Sequence, residues 1–531
     1  MKQKYKENQA SALTNIAWAA TLLIAIGGFS STLSQAQPVQ PAGTNSPAAP
    51  AATGSQLPNL GDGSEMTSSA ERRLGDKIVR ELYRDPDYID DAVLAEYVQD
   101  IWQPLLASAR ARGDLQPELD QRFAWEILMG RDRTINAFAL PGGYFGLHLG
   151  LIGVVTSRDE LASVLAHELS HVTQRHISRL ISKQSAQTPW LIGAMILGAL
   201  AASKNPEAAN AMIVGGQAVA AQNQLNFSRD MEREADRTGF GVMTQAGFES
   251  RAFVTMFDKL QQSARLNDNG SFPYLRSHPL TTERIADMQA RQPAGVSPSL
   301  SSGATLEHAM VAARARVLSN PGVDALRAWS ADADSKNLAG VAAPRQAAAL
   351  YGAVLAATRL RDFTQAEGLL GRLTELTRAD ARAARQTRLL AAELALTAGD
   401  ARRASSMLAA TATGRPDLFL WSQAAMRSGQ ANAAAQRLQT WVATHPRDAG
   451  AWQLLSVAHA TQGQALRAIR ADAEAKVIQM DYAAAAERLK AAQEQVRSAK
   501  PGASVDHIEA SIIDTRAREV QALLREQALE R

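Results

Sequence analysis

The chain predicts a mainly α-helical protein: a helical domain holding a small β-sheet, followed by a stacked array of helix pairs. Three observations carry this. Alanine is plentiful and aromatic residues make up 5% of the chain, a balance that favours helices. Apolar residues recur at helical spacing through most of the sequence, while strand-like runs gather between residues 123 and 151. Beyond residue 303 one short phrase returns every 30 to 40 residues or so, the signature of a stacked repeat.

At 531 residues the chain exceeds one ordinary core, so two or more domains are expected. A formal charge of +3 leaves no nucleic-acid footprint. The N-terminus carries Lys2, Lys4 and Lys6, an apolar run from about Ile16 to Gly28, and then Ser34-Gln35-Ala36. That order predicts a signal peptide over 1–36, cleaved after Ala36, and hence export. Cysteine is absent, which excludes disulfides and thiolate metal sites. Residues 37–67, rich in Pro, Ala, Gly and Ser, read as a flexible linker before a first domain spanning 68–291.

Helical spacing predicts helices over Ala70 to Tyr83 and Ile89 to about Arg112, separated by Asp85-Pro86. Phe123 to Leu128 and Ile135 to Leu151 read as short strands, with Pro141-Gly142-Gly143 as a turn. A small mixed sheet follows. Its edge could pair with an extended polypeptide or simply belong to a core hairpin, and spacing alone leaves both open. His148 reads as structural.

The chemistry centres on Ser157 to Ser178, SRDELASVLAHELSHVTQRHIS. Ser157-x-x-Glu160 predicts a capping box, and Leu161, Val164, Leu165, Leu169 and Val172 give the helix an apolar side. His167 and His171, four residues apart, project from one face one turn apart. Neutral imidazoles on a rigid helix are a usual support for zinc, and Glu168 can take a proton from a water at the metal. His176 falls about 180° round the same helix from His167 and is rejected as a ligand.

A third ligand is required, and it is expected downstream. Ser228 can cap a helix on which Glu232 and Asp236 share a face. Glu232 is the predicted ligand; Asp236 could orient a ligand histidine or donate a proton. Glu234 reads as a solvated acid. Between the two halves, Pro189 to Ser203 and the small residues to about Ala221 are too short an apolar run to span a membrane. They are expected to form a mobile lid, with peripheral membrane contact left open. Arg251 to Arg265 predicts a further amphipathic helix, ahead of Phe272 to Leu280 and a helix containing Glu283 and Ile285.

Residues 292–303, rich in Pro, Ser and Gly, mark a boundary before a repeat domain spanning 304–531. Arg361-Asp362-Phe363, Gly399-Asp400-Ala401, Gly429-Gln430-Ala431, Gly463-Gln464-Ala465 and Met480-Asp481-Tyr482 open the same phrase, each with an alanine three residues after its third member. The spacing brackets the tetratricopeptide period, except that the last gap is half a repeat. Trp452-x-x-Leu455 and His445-Pro446 fit the same motif. Stacked pairs of this kind form a concave surface for partner segments.

HELSH followed some sixty residues later by EREADRTG resembles the zinc metallopeptidase family that contains HtpX, the CAAX prenyl proteases and the mitochondrial Oma-type proteases. The likeness covers roughly residues 68 to 290 and implies a gluzincin-like domain. It places one zinc ion per chain on His167, His171 and Glu232, with Glu168 as general base and Asp236 as proton donor. Asn136-Ala137-Phe138-Ala139-Leu140-Pro141-Gly142-Gly143 resembles the family's edge-strand segment, which implies substrate pairing there. Arg276-x-His278-Pro279 resembles a segment that closes over the zinc in exported members. His278 could therefore steady an oxyanion or fill the open coordination site, or else merely cap a helix. Exported members with C-terminal repeats imply a periplasmic endopeptidase of a Gram-negative bacterium that cleaves misfolded or stalled envelope proteins. The partners so implied are polypeptide substrates and, through the repeats, the outer-membrane β-barrel assembly machinery or immature barrels. The alternative is a chaperone or scaffold whose repeats bind clients while the zinc site is gated or vestigial.

Overall fold

The computed structural model describes residues 66–183, 228–266, 273–292, 304–333, 338–408, 413–498 and 506–529. The expected signal peptide, nearly all of the linker and of the 292–303 boundary, and the whole 189–221 segment lie outside these. Helix α1 (Ser68–Arg84) starts where Thr67 accepts a hydrogen bond from the Ala70 amide, and it stops at Asp85, ahead of Pro86. Helix α2 (Ala92–Arg112) begins three residues later than Ile89, capped by Asp91. Ile89 is extended instead, its amide donating to the Met129 carbonyl at 3.0 Å. A short helix α3 (Pro117–Arg122), unforeseen in the sequence, pushes the first strand back to β1 (Glu126–Gly130).

Strands β2 (Ala137–Leu140) and β3 (Tyr144–His148) complete a sheet in the order β1-β3-β2. β1 runs parallel to β3, and β2 antiparallel to it, so β2 is an edge. The residues expected to continue β3 form a short helix α4 (Leu149–Val154). Helix α5 (Arg158–Thr173) carries HELSH and is buried along nearly its whole length, not on one side alone. It packs on α2, on β2, on α7 (Arg229–Gln245) and on α8 (Arg251–Leu266). Its two inner serines cost little there, because Ser163 and Ser170 return their hydroxyls to the carbonyls of Glu160 and Ala166 at 2.7 Å. At Arg175, with φ +55°, the helix breaks and α6 (His176–Lys183) starts in a new direction. Helices α9 (Pro273–Ser277) and α10 (Thr282–Ala290) close this half.

The second half is helical: α11 (Leu306–Ser319), α12 (Val323–Ala331), α13 (Ala343–Leu360), α14 (Phe363–Thr377), α15 (Ala381–Ala398), α16 (Ala401–Leu408), α17 (Arg415–Arg427), α18 (Ala431–Thr444), α19 (Ala449–Thr461), α20 (Ala465–Ile478), α21 (Tyr482–Arg497) and α22 (His507–Leu529). From α13 onward each helix packs on the next. The repeated phrase has a plain physical meaning. Arg361, Gly399, Gly429, Gly463 and Met480 all have positive φ, between 57° and 92°, and the residue after each stands immediately before the next helix. Each phrase is a left-handed helix stop followed by a start. The half-period gap falls into place here: the turns at 463 and 480 flank the same helix, α20.

One apolar cluster joins the two halves, running from Leu94 through Leu169 and Met310 to Leu394. Arginines of the second half then reach acids of the first. Arg314 pairs with Asp91 at 2.7 Å, Arg385 with Glu96, Arg415 with Asp90 at 2.6 Å and Arg447 with Glu126 at 2.9 Å. No helix among the described residues is long and apolar enough to cross a membrane.

Candidate metal centre

The site exists because two helices cross closely. Ser157 Oγ accepts from the Glu160 amide and starts α5, but the Glu160 carboxylate turns to the Thr156 amide and Lys259 instead of back to Ser157, so half of the expected capping box forms. Ser228 Oγ accepts from the Met231 amide and starts α7. The helices meet at Gly239, where an added Cβ would lie 3.0 Å from the Ala166 carbonyl oxygen and 3.1 Å from the His167 nitrogen. That approach lifts Glu232 and Asp236, on one face of α7, to the histidines of α5.

His167, His171, Glu232 and His278 converge, with one donor atom from each within 4.8 Å of the others. None is more than 1% exposed. The Nε2 atoms of His167 and His171 face each other at 3.0 Å. Glu232 sets Oε2 and Oε1 at 3.5 Å from them in turn. His278 Nδ1 lies 3.0 Å from Glu232 Oε1 and 3.3 Å from His167 Nε2. The Tyr274 ring stacks on His278 with centroids 4.7 Å apart.

The outer partners decide which way the lone pairs point. His167 Nδ1 lies 2.9 Å from Asp236 Oδ1, too bent for an ordinary hydrogen bond, but an adjacent carboxylate attracts the proton to Nδ1 and leaves Nε2 facing inward. His176 Nε2 lies 3.1 Å from Glu234 Oε2 and donates to it; His176 Nδ1, 2.9 Å from His171 Nδ1, then accepts. His171 therefore also turns its Nε2 inward. Two lone pairs at 3.0 Å repel unless a cation lies between them. A proton serves in part: burial opposes charge on His167, but Asp236 and Glu232 outweigh it and push the ring up to about 9. Burial holds His171 well below the ordinary imidazole value. A divalent metal suits two imidazoles and a carboxylate better still, so the donor set fits one.

Charge elsewhere in the site is equally deliberate. Burial raises the Glu168 carboxyl, with His278 and His167 opposing it, and neither Glu168 oxygen makes an ordinary hydrogen bond. Burial works against charge on Glu232 too, yet His278 and His167 hold it well below the carboxylate range. Asp236 likewise stays low despite burial, through Arg284 and His167. Burial drives His176 down to about 4, keeping it neutral against Glu234.

All six residues singled out in the sequence thus lie in one place: His167, His171, Glu232 and His278 at the centre, Glu168 beside His278, and Asp236 behind His167. His148 stands apart, beside Thr134. Three participants were missed. The angle computed for His176 assumed an unbroken helix, and the turn at Arg175 returns the ring to the back of His171. Glu234 is not merely solvated, since it holds His176 and Arg179. Arg284, 3% exposed, left one signal: with Met288 it lies on the buried face of an amphipathic helix, an unusual place for an arginine.

An HExxH helix meeting a carboxylate from a second helix at a buried donor cluster, in a mainly α fold, defines a metallopeptidase. Residues 94–292 match the profile of Peptidase family M48 and form a domain of that family. It is 28% identical over 446 residues to the beta-barrel assembly-enhancing protease of Escherichia coli, covering 83% of this chain and 88% of the relative. A Vibrio cholerae protein provisionally given the same name is 37% identical over 325 residues, 60% of this chain and 63% of the relative, so the match spans less than two thirds of that protein. The mitochondrial metalloendopeptidase OMA1 of Arabidopsis thaliana is 32% identical over 161 residues, 30% of each chain.

Proposed function

We propose that the protein is an exported, zinc-dependent endopeptidase of the periplasm of a Gram-negative bacterium, cleaving misfolded or stalled envelope proteins during outer-membrane β-barrel assembly. One observation carries the reading: four buried donors converge beside the buried carboxylate of Glu168, whose Oε1 lies 3.5 Å from His278 Nε2. His167, His171 and Glu232 would hold the zinc. Once bound, the ion supplies a Lewis acid that acidifies water and polarises a peptide carbonyl. Glu168 takes the proton from water and passes it to the leaving amine, and a carboxyl raised by burial suits both steps. Asp236 has both oxygens engaged by Arg284, which supports orienting His167 over donating a proton. His278, with Nδ1 3.0 Å from Glu232 Oε1, would add a fourth donor in a resting, gated site and would have to withdraw before a peptide bond could enter. Among the described residues β2, packed on α5, pairs on one side only, and its other side offers main-chain groups to an extended substrate.

The peptidase domain of this proposal spans 68–291 and a tetratricopeptide-like domain spans 304–531, the latter docking on assembly machinery or immature barrels. The names of the relatives support that destination. The test is Glu168→Gln, which should retain about one zinc per chain while casein hydrolysis falls at least a hundredfold or so. Hydrolysis at the wild-type rate in that variant would remove Glu168, and with it this mechanism.

A further inference from the structure

One guanidinium ties the whole centre together. Arg284 Nε and Nη2 fork onto Asp236 Oδ2 and Oδ1 at 2.6 and 2.8 Å. Its Nη1 reaches Glu232 Oε2 at 2.8 Å and the Pro279 carbonyl at 2.9 Å. The Phe257 ring lies beneath the cation, with its centroid 5.2 Å away. Three of the four converging donors therefore hang on this side chain. Glu232 does so directly, His167 through Asp236, and His278 through the carbonyl of the residue that follows it.

We propose that Arg284 is a positioning residue for the metal centre, locking the third donor, the carboxylate behind His167 and the turn that carries His278 into one rigid unit. The inference rests on the reading of His167, His171 and Glu232 as metal donors. The geometry explains why an arginine is needed. Glu232 and Asp236 are two like charges one helical turn apart, both buried, and only a planar fork can bind one carboxylate through two N–H groups while a third group reaches the other. Glu232 Oε2 then faces both Arg284 Nη1 and His167 Nε2, while Oε1 turns toward His171 and His278. A lysine keeps the charge but has no planar fork with which to bind Asp236 through two parallel N–H groups and still hold Glu232 and the Pro279 carbonyl. The opposite outcome is physically open as well: a cation beside Glu232 competes with a metal for its electrons, so its loss could tighten metal binding.

The experiment measures metal affinity of the full chain by chelator competition with Zn²⁺, and the visible absorption of the Co²⁺-loaded protein. Arg284→Lys should bind Zn²⁺ about 10- to 100-fold more weakly, the range for a residue that supports a ligand from outside, and should alter the Co²⁺ bands. Arg237→Lys changes an exposed link between the same two helices, α7 and α10, and should match wild type in both. Unchanged or tighter binding by Arg284→Lys, with an unaltered Co²⁺ spectrum, overturns the proposal. Failure of the underlying site looks different: wild type itself would then bind no better than His171→Ala, and the inference falls with it. Should Arg284→Lys not fold, wild-type protein labelled with ¹⁵N-arginine answers the question. Zn²⁺ should shift the Arg284 Nε–H resonance, and a resonance indifferent to saturating metal overturns the proposal equally.

Discussion

Gly239 rests against Ala166 so closely that a single added methyl would lie 3.0 Å from the Ala166 carbonyl oxygen. Two effects compete in Gly239→Ala. Helix α7 gains roughly 1 kcal/mol in intrinsic propensity, whereas overpacking a close helix contact costs about 1–3 kcal/mol. The contact is to backbone, which cannot swing aside, so the cost wins. The variant should unfold at a lower temperature than wild type and bind Zn²⁺ more weakly, because Glu232 and Asp236 recede from the histidines together. Calorimetry with chelator competition reads both, and a variant more stable than wild type with unchanged affinity would mean the helices had room.

His176 backs His171 as Asp236 backs His167, so its removal should be felt at the metal before it is felt in stability. His176→Ala should weaken zinc binding by about 10- to 100-fold. His176→Phe fills the volume without offering an acceptor to His171 Nδ1 and should be as poor. Wild-type affinity in the phenylalanine variant would reduce His176 to packing.

These two predictions also divide what the sequence could reveal from what it could not. The histidine helix, its cap at Ser157 and the downstream helix begun by Ser228 were legible because spacing and capping are local. So were the helix stops of the repeats, since a residue in left-handed conformation leaves glycine at three of five turns. The Arg175 break was not legible. Nothing in Thr173-Gln174-Arg175-His176 marks a positive φ, and without that turn His176 points away from the site. Arg284 was hidden for a different reason. An arginine next to Glu283 reads as surface charge, and its partners Glu232 and Asp236 lie about fifty residues earlier in the chain.

The arginines joining the two halves should differ sharply in worth, and exposure decides the order. Arg314 and Asp91 are 6% and 11% exposed, while Arg447 and Glu126 are 59% and 31% exposed. Removing one member of a buried pair strands the other, so Arg314→Ala should lose about 3–5 kcal/mol. An exposed pair is screened by water and salt, and Arg447→Ala should lose less than about 1 kcal/mol. Urea unfolding of the two variants beside wild type measures the difference, and equal losses would contradict the ranking.

His308 links α11, the first helix of the second half, to Tyr97 of α2 and to Val155 and should make their union pH-dependent. Its Nε2 lies 2.9 Å from the Val155 carbonyl, to which it must donate, and its Nδ1 lies 2.7 Å from Tyr97 Oη, from which it accepts. The ring is thus neutral, and burial lowers its pKa below 6.5, with Lys259 and Arg316 adding to the effect and Val155 and Glu160 opposing it. The sign follows. Below pH 6.5 the unfolded chain takes up a proton that the folded ring refuses. The stabilisation is complete above that pH and is lost as pH falls toward the folded value, at up to about 1.4 kcal/mol per pH unit. Other buried histidines, His171 and His176 among them, titrate in the same direction, so the informative quantity is a difference between proteins. His308→Gln can still donate to Val155 and accept from Tyr97 but cannot titrate. Unfolding free energies between pH 7.5 and 5 should therefore fall less steeply for His308→Gln than for wild type, and parallel curves would acquit His308.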